Sequence, residues 1–199
     1  MKTLFLVRHA ASYTNAGMHW SDGPATIPLT AEGHAAAREF ARAWSVRPDI
    51  IVVSPYVRSV QTALPLAQKF SLPLLTRSVQ ELTFWDYKYL QPESADENRG
   101  RQVDAYWARL DPLEKKGGNN AESFVEFIER CMAFRRWAEQ TDFESCVTVT
   151  HGHFMHAYRA LMNDICLPPK EMMAHLHATL AGTAYANLEV AKYQIDGVK

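Results

Sequence analysis

Residues Ile50–Arg58 read IIVVSPYVR, four β-branched apolar residues that give way to Ser-Pro and then to a helical pattern. A short, continuous apolar run bounded by turn residues is the signature of a strand buried on both faces. Ser54 is a good helix cap and Pro55 suits the first helical position, so a helix is expected from there to about Phe70. The same grammar recurs on either side. Thr3–Val7 (TLFLV) is a buried strand that stops at Arg8-His9, and Cys146–Thr150 (CVTVT) is another that stops at His151-Gly152. Between them, Thr30–Trp44 has an N-cap threonine and apolar residues Ala37, Phe40, Ala41 and Trp44 at helical spacing. Ala121–Gln140 is a helix with Phe124, Ile128 and Cys131 on one face beside Val125 and Met132. Another helix follows the third strand through Met162, and short extended pieces are expected at Leu72–Leu75, Val79–Glu81 and Ala184–Tyr193.

Strands alternating with helices imply an α/β fold: a three-layer α/β/α sandwich, its sheet largely parallel and covered by helices on both faces. The 199 residues suit one domain, 1–199. Periodicity fails from Leu82 to Asn120 apart from a short helix near Val103–Leu110, so a small helical cap insertion is expected at about 82–120. The hydrophobic fraction of 47% and charged fraction of 22% exclude bulk disorder. With 21 Lys+Arg against 22 Asp+Glu, the net charge of −1 argues against a nucleic-acid binder. No stretch is apolar enough to cross a membrane. The apolar run near the start is broken by Arg8 and His9, so no export signal is read. With three unpaired-looking cysteines (Cys131, Cys146 and Cys166), the expected location is cytoplasmic.

Open α/β sheets bind ligands beyond the carboxyl ends of their strands. Three such ends here carry Arg8-His9, Ser54 to Arg58, and His151-Gly152. Two guanidinium groups and two imidazoles at one rim repel each other unless an anion joins them. A phosphoryl group fits best, because arginine donates bidentate hydrogen bonds to its oxygens and helix N-termini near Ser54 and Gly152 add N–H donors. Taken singly, each feature has a plainer reading: a polar residue after a strand, a helix start with a solvated charge, a turn. It is their placement after three separate strands that points to a site.

LVRHAASYTN (Leu6–Asn15), PLTAEG (Pro28–Gly33), SPYVRSVQTA (Ser54–Ala63), VQEL (Val79–Leu82), AESF (Ala121–Phe124) and VTHGHF (Val149–Phe154) occur in an order that resembles the histidine phosphatase superfamily, the phosphoglycerate-mutase-like fold. The resemblance implies a metal-independent, cofactor-free enzyme acting on a small phosphate ester. It makes His9 the nucleophile that becomes phosphohistidine and Glu81 the acid and then the base. Arg8, Arg58 and His151 would hold the equatorial oxygens, with Asn15 and the Gly152 backbone as further donors. A backbone contact would fix the His9 tautomer. As a proton donor, Glu81 is expected to be partly buried with a raised pKa; Asp86 and Glu93 lie near it in sequence. The family's usual Arg-His-Gly followed by Glu-Thr is here Arg-His-Ala, with Ala11 and Ser12 next. Ala10 leaves room for a phosphate if its φ is negative.

Three alternatives stand beside the phosphohistidine phosphatase. Clustered His151, His153, His156, His175 and His177 could serve a zinc hydrolase, though no carboxylate accompanies them at ligand spacing. Phosphoglycerate-mutase-type transfer needs a longer chain to shield the phosphoenzyme, whereas this one ends soon after Tyr193. The alanines at 10 and 11 would suit a non-catalytic phosphate-binding protein. Phe84, Trp85, Tyr87, Tyr89, Tyr106 and Trp107 either pack a cap onto the sheet or wall the pocket to select an ester with a flat or apolar body.

Overall fold

The computed structural model describes residues 1–18, 20, 22–85, 95–115 and 121–196, with the backbone alone at 95–100. Five strands, β1 (Lys2–Arg8), β2 (Ile50–Val53), β3 (Leu74–Thr76), β4 (Ser145–Thr150) and β5 (Val190–Ile195), lie in the order β3-β2-β4-β1-β5. All neighbours are parallel except β5, which runs antiparallel along β1. Among the described residues, six α-helices accompany them, α1 (Ala31–Ala43), α2 (Val57–Phe70), α3 (Ala95–Arg109), α4 (Phe124–Gln140), α5 (Gly152–Met162) and α6 (Pro169–Gly182), with a short 3-10 helix at Tyr13–Ala16.

Strand side chains alternate between two faces, and this alternation divides the core. Leu4, Leu6, Val52 and Cys146 point into one layer with Phe124, Phe127, Phe134, Phe154, Tyr158 and Met173 from α4, α5 and α6. Val7, Ile51, Val53, Val147 and Val149 point the other way, onto Ala41 of α1 and Ala63, Leu66 and Ala67 of α2. Removing a large apolar side chain of this kind from water contributes about 1.5–3 kcal/mol. Among the described residues no helix is long and apolar enough to cross a membrane.

The helix expected after β2 starts later than its sequence suggests. Its N-cap is Tyr56 and its first residue Val57, so Ser54 and Arg58 do not share a helical turn. The Ser54 hydroxyl is instead engaged with His151 across the sheet. The buried stripe of α4 is Phe124, Phe127, Cys131, Phe134 and Ala138, rotated from the expected face, and Met132 is exposed. Val79–Glu81 is irregular and α3 is longer than the expected Val103–Leu110. Helix α6, which opens with Pro169, had no assignment from the sequence. The last strand begins at Val190 and not at Ala184, because Tyr185 and Asn187 are held at the site by Arg8 and His9. Phe84 stacks on Tyr106 at 3.9 Å, and both are buried with Trp107, so these three rings take the packing role. Tyr87 and Tyr89 lie outside the described residues.

Helix α1 meets the loop after β1 at Gly33. A β-carbon there would stand 2.1 Å from the Ala11 carbonyl oxygen, which already accepts from Thr30 N at 3.0 Å. Only glycine allows this approach, and the loop it touches follows His9. Gly33→Ala is expected to destabilise the protein by about 1–3 kcal/mol through overpacking. That corresponds to a fall of several degrees in the melting midpoint by calorimetry. A Gly33→Ala midpoint equal to that of the unmodified protein contradicts the tight contact.

Candidate active site

Strand register brings the site together. Arg8 of β1 pairs with Thr150 of β4, and Val53 of β2 pairs with Val149, so His9, Ser54 and His151 emerge side by side. Backbone hydrogen bonds continue the ladder one step further: His9 N donates to Thr150 O at 3.0 Å and Ser54 N to Val149 O at 3.3 Å.

His9 is 4% exposed, and its Nδ1 lies 2.8 Å from the carbonyl oxygen of Ala10. A carbonyl only accepts, so Nδ1 carries the proton and Nε2 keeps its lone pair. Arg58 Nε donates to that Nε2 at 3.2 Å. Arg58 is itself fixed by the Pro24 carbonyl, 2.5 Å from Nη1, and by the Tyr56 ring, 4.8 Å from its Cζ. His151 stands beside His9 with ring centroids 5.0 Å apart, and its Nε2 meets Ser54 Oγ at 2.7 Å. Arg8 donates from Nη1 to the Tyr185 carbonyl. Arg8 Nε and His151 Nδ1 are buried with no hydrogen-bond partner among the described residues. Such groups are costly, and an anion supplies oxygens that satisfy them.

The loop with Glu81 is clamped from outside. Arg130 on α4 donates to the carbonyls of Ser78 and Gln80, each at 2.9 Å, and forms a two-pronged pair with Glu122 at 2.6 and 3.1 Å. Glu122 also accepts from Thr83 N at 3.1 Å. Glu81 Oε1 then accepts from the His153 backbone N at 2.9 Å, in the first turn of α5, and sits 2.8 Å from His153 Nδ1. The Gly152 side of the carboxylate stays open: a β-carbon there would lie 3.9 Å from Oε2 and 4.0 Å from Arg8 Nε.

Asn15 turns its Oδ1 inward, accepting from Ser12 N, Ser12 Oγ and Asn187 Nδ2 at 3.2, 2.9 and 3.3 Å. Asn187 also donates to His9 O at 2.8 Å. Ala10 is absent from the residues with positive φ, and its N–H donates to Thr62 Oγ1 at 3.0 Å.

Burial and the positive field of Arg58 lower the His9 pKa from 6.5 to about 3, and burial and Arg58 likewise hold His151 neutral. The expectation for Glu81 is overturned. Burial alone would raise its pKa, but His153, Arg58 and His9 outweigh burial and lower it to about 2. Burial disfavours charge on His153, yet the adjacent carboxylate raises its pKa. The two shifts favour a carboxylate on Glu81 and the pair's proton on His153.

Five residues of the expected constellation, Arg8, His9, Arg58, Glu81 and His151, converge here with Gly152, while Asn15 braces the loop beside them. Sequence reasoning missed the supporting residues Pro24, Thr62, Arg130, Tyr185 and Asn187. Of these, Arg130 and Thr62 stand four or more residues inside helices, where nothing local marks a function. The histidines of the zinc reading take separate partners: Ser54 for His151, Glu81 for His153, and Arg159 and Tyr185 for His156. Among the described residues no three metal-ligating side chains form a group.

The sequence matches the model of the histidine phosphatase superfamily (branch 1) over residues 4–196, and the chain belongs to that family. It is 29% identical over 195 residues to the "Putative phosphoserine phosphatase 2" of Hydrogenobacter thermophilus, covering 96% of this chain and 92% of that one. The fold is shared with the α-ribazole phosphatase of Shigella flexneri (TM-score 0.71, 24% identity, 98% of this chain and 91% of that one). It is shared also with the phosphoserine phosphatase of Entamoeba histolytica solved with 3-phosphoglyceric acid (TM-score 0.71, 18% identity, 98% and 91%). A mycobacterial glucosyl-3-phosphoglycerate phosphatase solved with VO3 aligns at TM-score 0.69 and 20% identity over 98% and 91%.

Three imidazoles are kept neutral by the fold. His9 and His151 are described above, and burial with Arg159 lowers His156 to about 4. A lowered folded-state pKa means the unfolded chain binds protons first, so this stability is complete above pH 6.5 and is lost as pH falls toward 3. Glu81 acts in the same direction between 4.5 and about 2, while His153, raised, contributes below 6.5 and loses its contribution at higher pH. The melting midpoint is expected to drop steadily from pH 7 to pH 5. A flat or rising midpoint over that interval contradicts the neutral-imidazole arrangement.

Proposed function

We propose that the protein is a phosphatase that hydrolyses a small organic phosphomonoester through a phosphohistidine on His9. The observation that carries this reading is the state of His9: a buried, neutral imidazole, its proton held on Nδ1 by Ala10 O and its Nε2 lone pair 3.2 Å from Arg58 Nε. When a phosphoryl oxygen takes over the Arg58 N–H, that lone pair is released toward phosphorus, with the guanidinium already in place to hold the oxygen.

The phosphoryl oxygens meet Arg8 Nε and His151 Nδ1, the buried atoms without partners among the described residues, with Arg58, the Gly152 N–H and Asn15 Nδ2 as further donors. Charge spreads over those oxygens in transfer, and fixed donors stabilise it without reorganisation. Nε2 of His9 attacks phosphorus as the ester oxygen leaves on the opposite side. Glu81 supplies the leaving oxygen with a proton and then deprotonates the water that cleaves the P–N bond. The incoming phosphoryl dianion offsets the positive field of His153 and Arg58 that lowers the Glu81 pKa, and so raises its proton affinity at the moment a proton is needed. The arginines supply the positive charge, and no step calls for a metal. The relatives named as phosphatases of phosphoserine and of glucosyl-3-phosphoglycerate support an alcohol-derived monoester as the substrate class.

Hydrolysis of p-nitrophenyl phosphate is the direct test. Turnover is expected to survive a chelator and to fall to background in His9→Ala, with an alkali-stable, acid-labile phosphoenzyme trapped in the unmodified protein. Chelator-sensitive turnover, or activity retained by His9→Ala, overturns the reading.

A further inference from the structure

We propose that His153 is the proton store of the acid/base residue: its Nδ1 holds the proton that Glu81 passes to the leaving oxygen and recovers from water. The inference rests on the phosphatase reading above and adds a residue to it. His153 acts through Glu81, so it is a positioning residue that keeps the carboxyl placed and loaded.

The geometry divides the Glu81 carboxylate into a held oxygen and an open one. Oε1 is pinned by His153 twice, at 2.9 Å from its backbone N and 2.8 Å from Nδ1. Oε2 accepts no hydrogen bond from any described residue and faces the space beside Gly152 and Arg8. The groups around the His153 ring come from four elements. Glu81 approaches from the loop after β3, Arg8 from β1, and His156 from one turn along α5. The Trp107 ring of α3 stacks on it at 5.8 Å and 21°, with His177 of α6 against Trp107 at 5.3 Å. Glu81 is the only carboxylate among these neighbours. The contact is an ion pair at 2.8 Å without hydrogen-bond alignment, so a small turn of the His153 ring or of the carboxyl must line up Nδ1–H with Oε1 before a proton passes.

An ionised carboxylate has no proton to give, and an alkoxide leaving group needs one. The nearest donor to Glu81 is the imidazolium in contact with it. When an ester dianion arrives, the added negative charge favours transfer from Nδ1 to Oε1. The terminal torsion of glutamate is broad and two-fold, so a half-turn brings the protonated oxygen round to the open side. The P–O bond to the leaving group then breaks, the leaving oxygen takes the proton, and the P–N bond to His9 forms. His153 is now neutral and Glu81 a carboxylate. In the second step a water oxygen bonds to phosphorus, the P–N bond breaks, and the water proton returns through Glu81 to Nδ1. The sum is ester dianion plus water to alcohol plus hydrogen phosphate, with both residues restored.

The role is separable from simple support of the loop by the leaving group. p-Nitrophenolate departs without protonation, whereas the alkoxide of β-glycerol phosphate does not. H153N keeps an N–H near the Nδ1 position but carries no transferable proton. In H153N, kcat/KM for β-glycerol phosphate is expected to fall about 100-fold, as for loss of general-acid assistance, and that for p-nitrophenyl phosphate less than about 3-fold. Competitive inhibition by inorganic phosphate is expected to stay unchanged. Equal losses on the two esters overturn the proposal and leave the phosphatase reading standing. No activity of the unmodified protein on either ester overturns both. If H153N does not fold, the unmodified protein decides. An alkaline limb in kcat/KM for β-glycerol phosphate that is missing for p-nitrophenyl phosphate supports the proton store, and the same limb for both overturns it.

Discussion

Parallel pairing of β1 with β4 and of β4 with β2 fixes which residues can meet at the sheet's carboxyl edge. Because Arg8 sits opposite Thr150 and Val53 opposite Val149, the first residue past each strand is His9, His151 or Ser54. A slip of one residue in either pairing would send the strand's buried side chains to the wrong layer as well as misplacing the imidazole. The apolar alternation that builds the two core layers therefore also aims the site. Stability and function are specified by one register, and a central strand cannot be shifted to alter one alone.

That edge gathers more positive charge than a folded protein tolerates without compensation. The fold answers in two ways. It keeps His9 and His151 neutral, and it turns the arginines onto carbonyl oxygens: Arg8 onto Tyr185, Arg58 onto Pro24. Neither device is complete, since Arg8 Nε and His151 Nδ1 stay buried and unmatched. In the proposed reading a phosphoryl group offsets that cost by bringing oxygens to both atoms.

The strand-end residues were legible because each follows a short apolar run whose type is unambiguous; α1 was legible from its spacing, and α2 from the Ser-Pro turn before it, although its cap is Tyr56. What escaped the sequence depends on long-range contact. Arg130 looks like a solvated charge on α4 until the loop of Ser78 and Gln80 folds against it. Gly33 looks like a weak spot in α1 until the Ala11 carbonyl closes on it. The protonation state of Glu81 was misread for the same reason. Burial, the effect inferred from its role, is real, but the opposing charges of His153 and Arg58 come from elements 72 and 23 positions away in the chain.

The departures at Ala10 and Ala11 bear on whether this chain turns over its ligand or only holds it. The loop uses the backbone of both residues. The Ala10 carbonyl fixes the His9 tautomer, its N–H is bound by Thr62, and the Ala11 carbonyl docks on Thr30 and Gly33. With Ala10 at negative φ, a methyl group strains nothing. A protein that only bound phosphate would need the arginines but not a neutral imidazole locked in one tautomer, nor a carboxylate clamped by Arg130 and charged through His153. In the proposed mechanism those features are the nucleophile and the proton carrier, and they support the reading of turnover over binding alone.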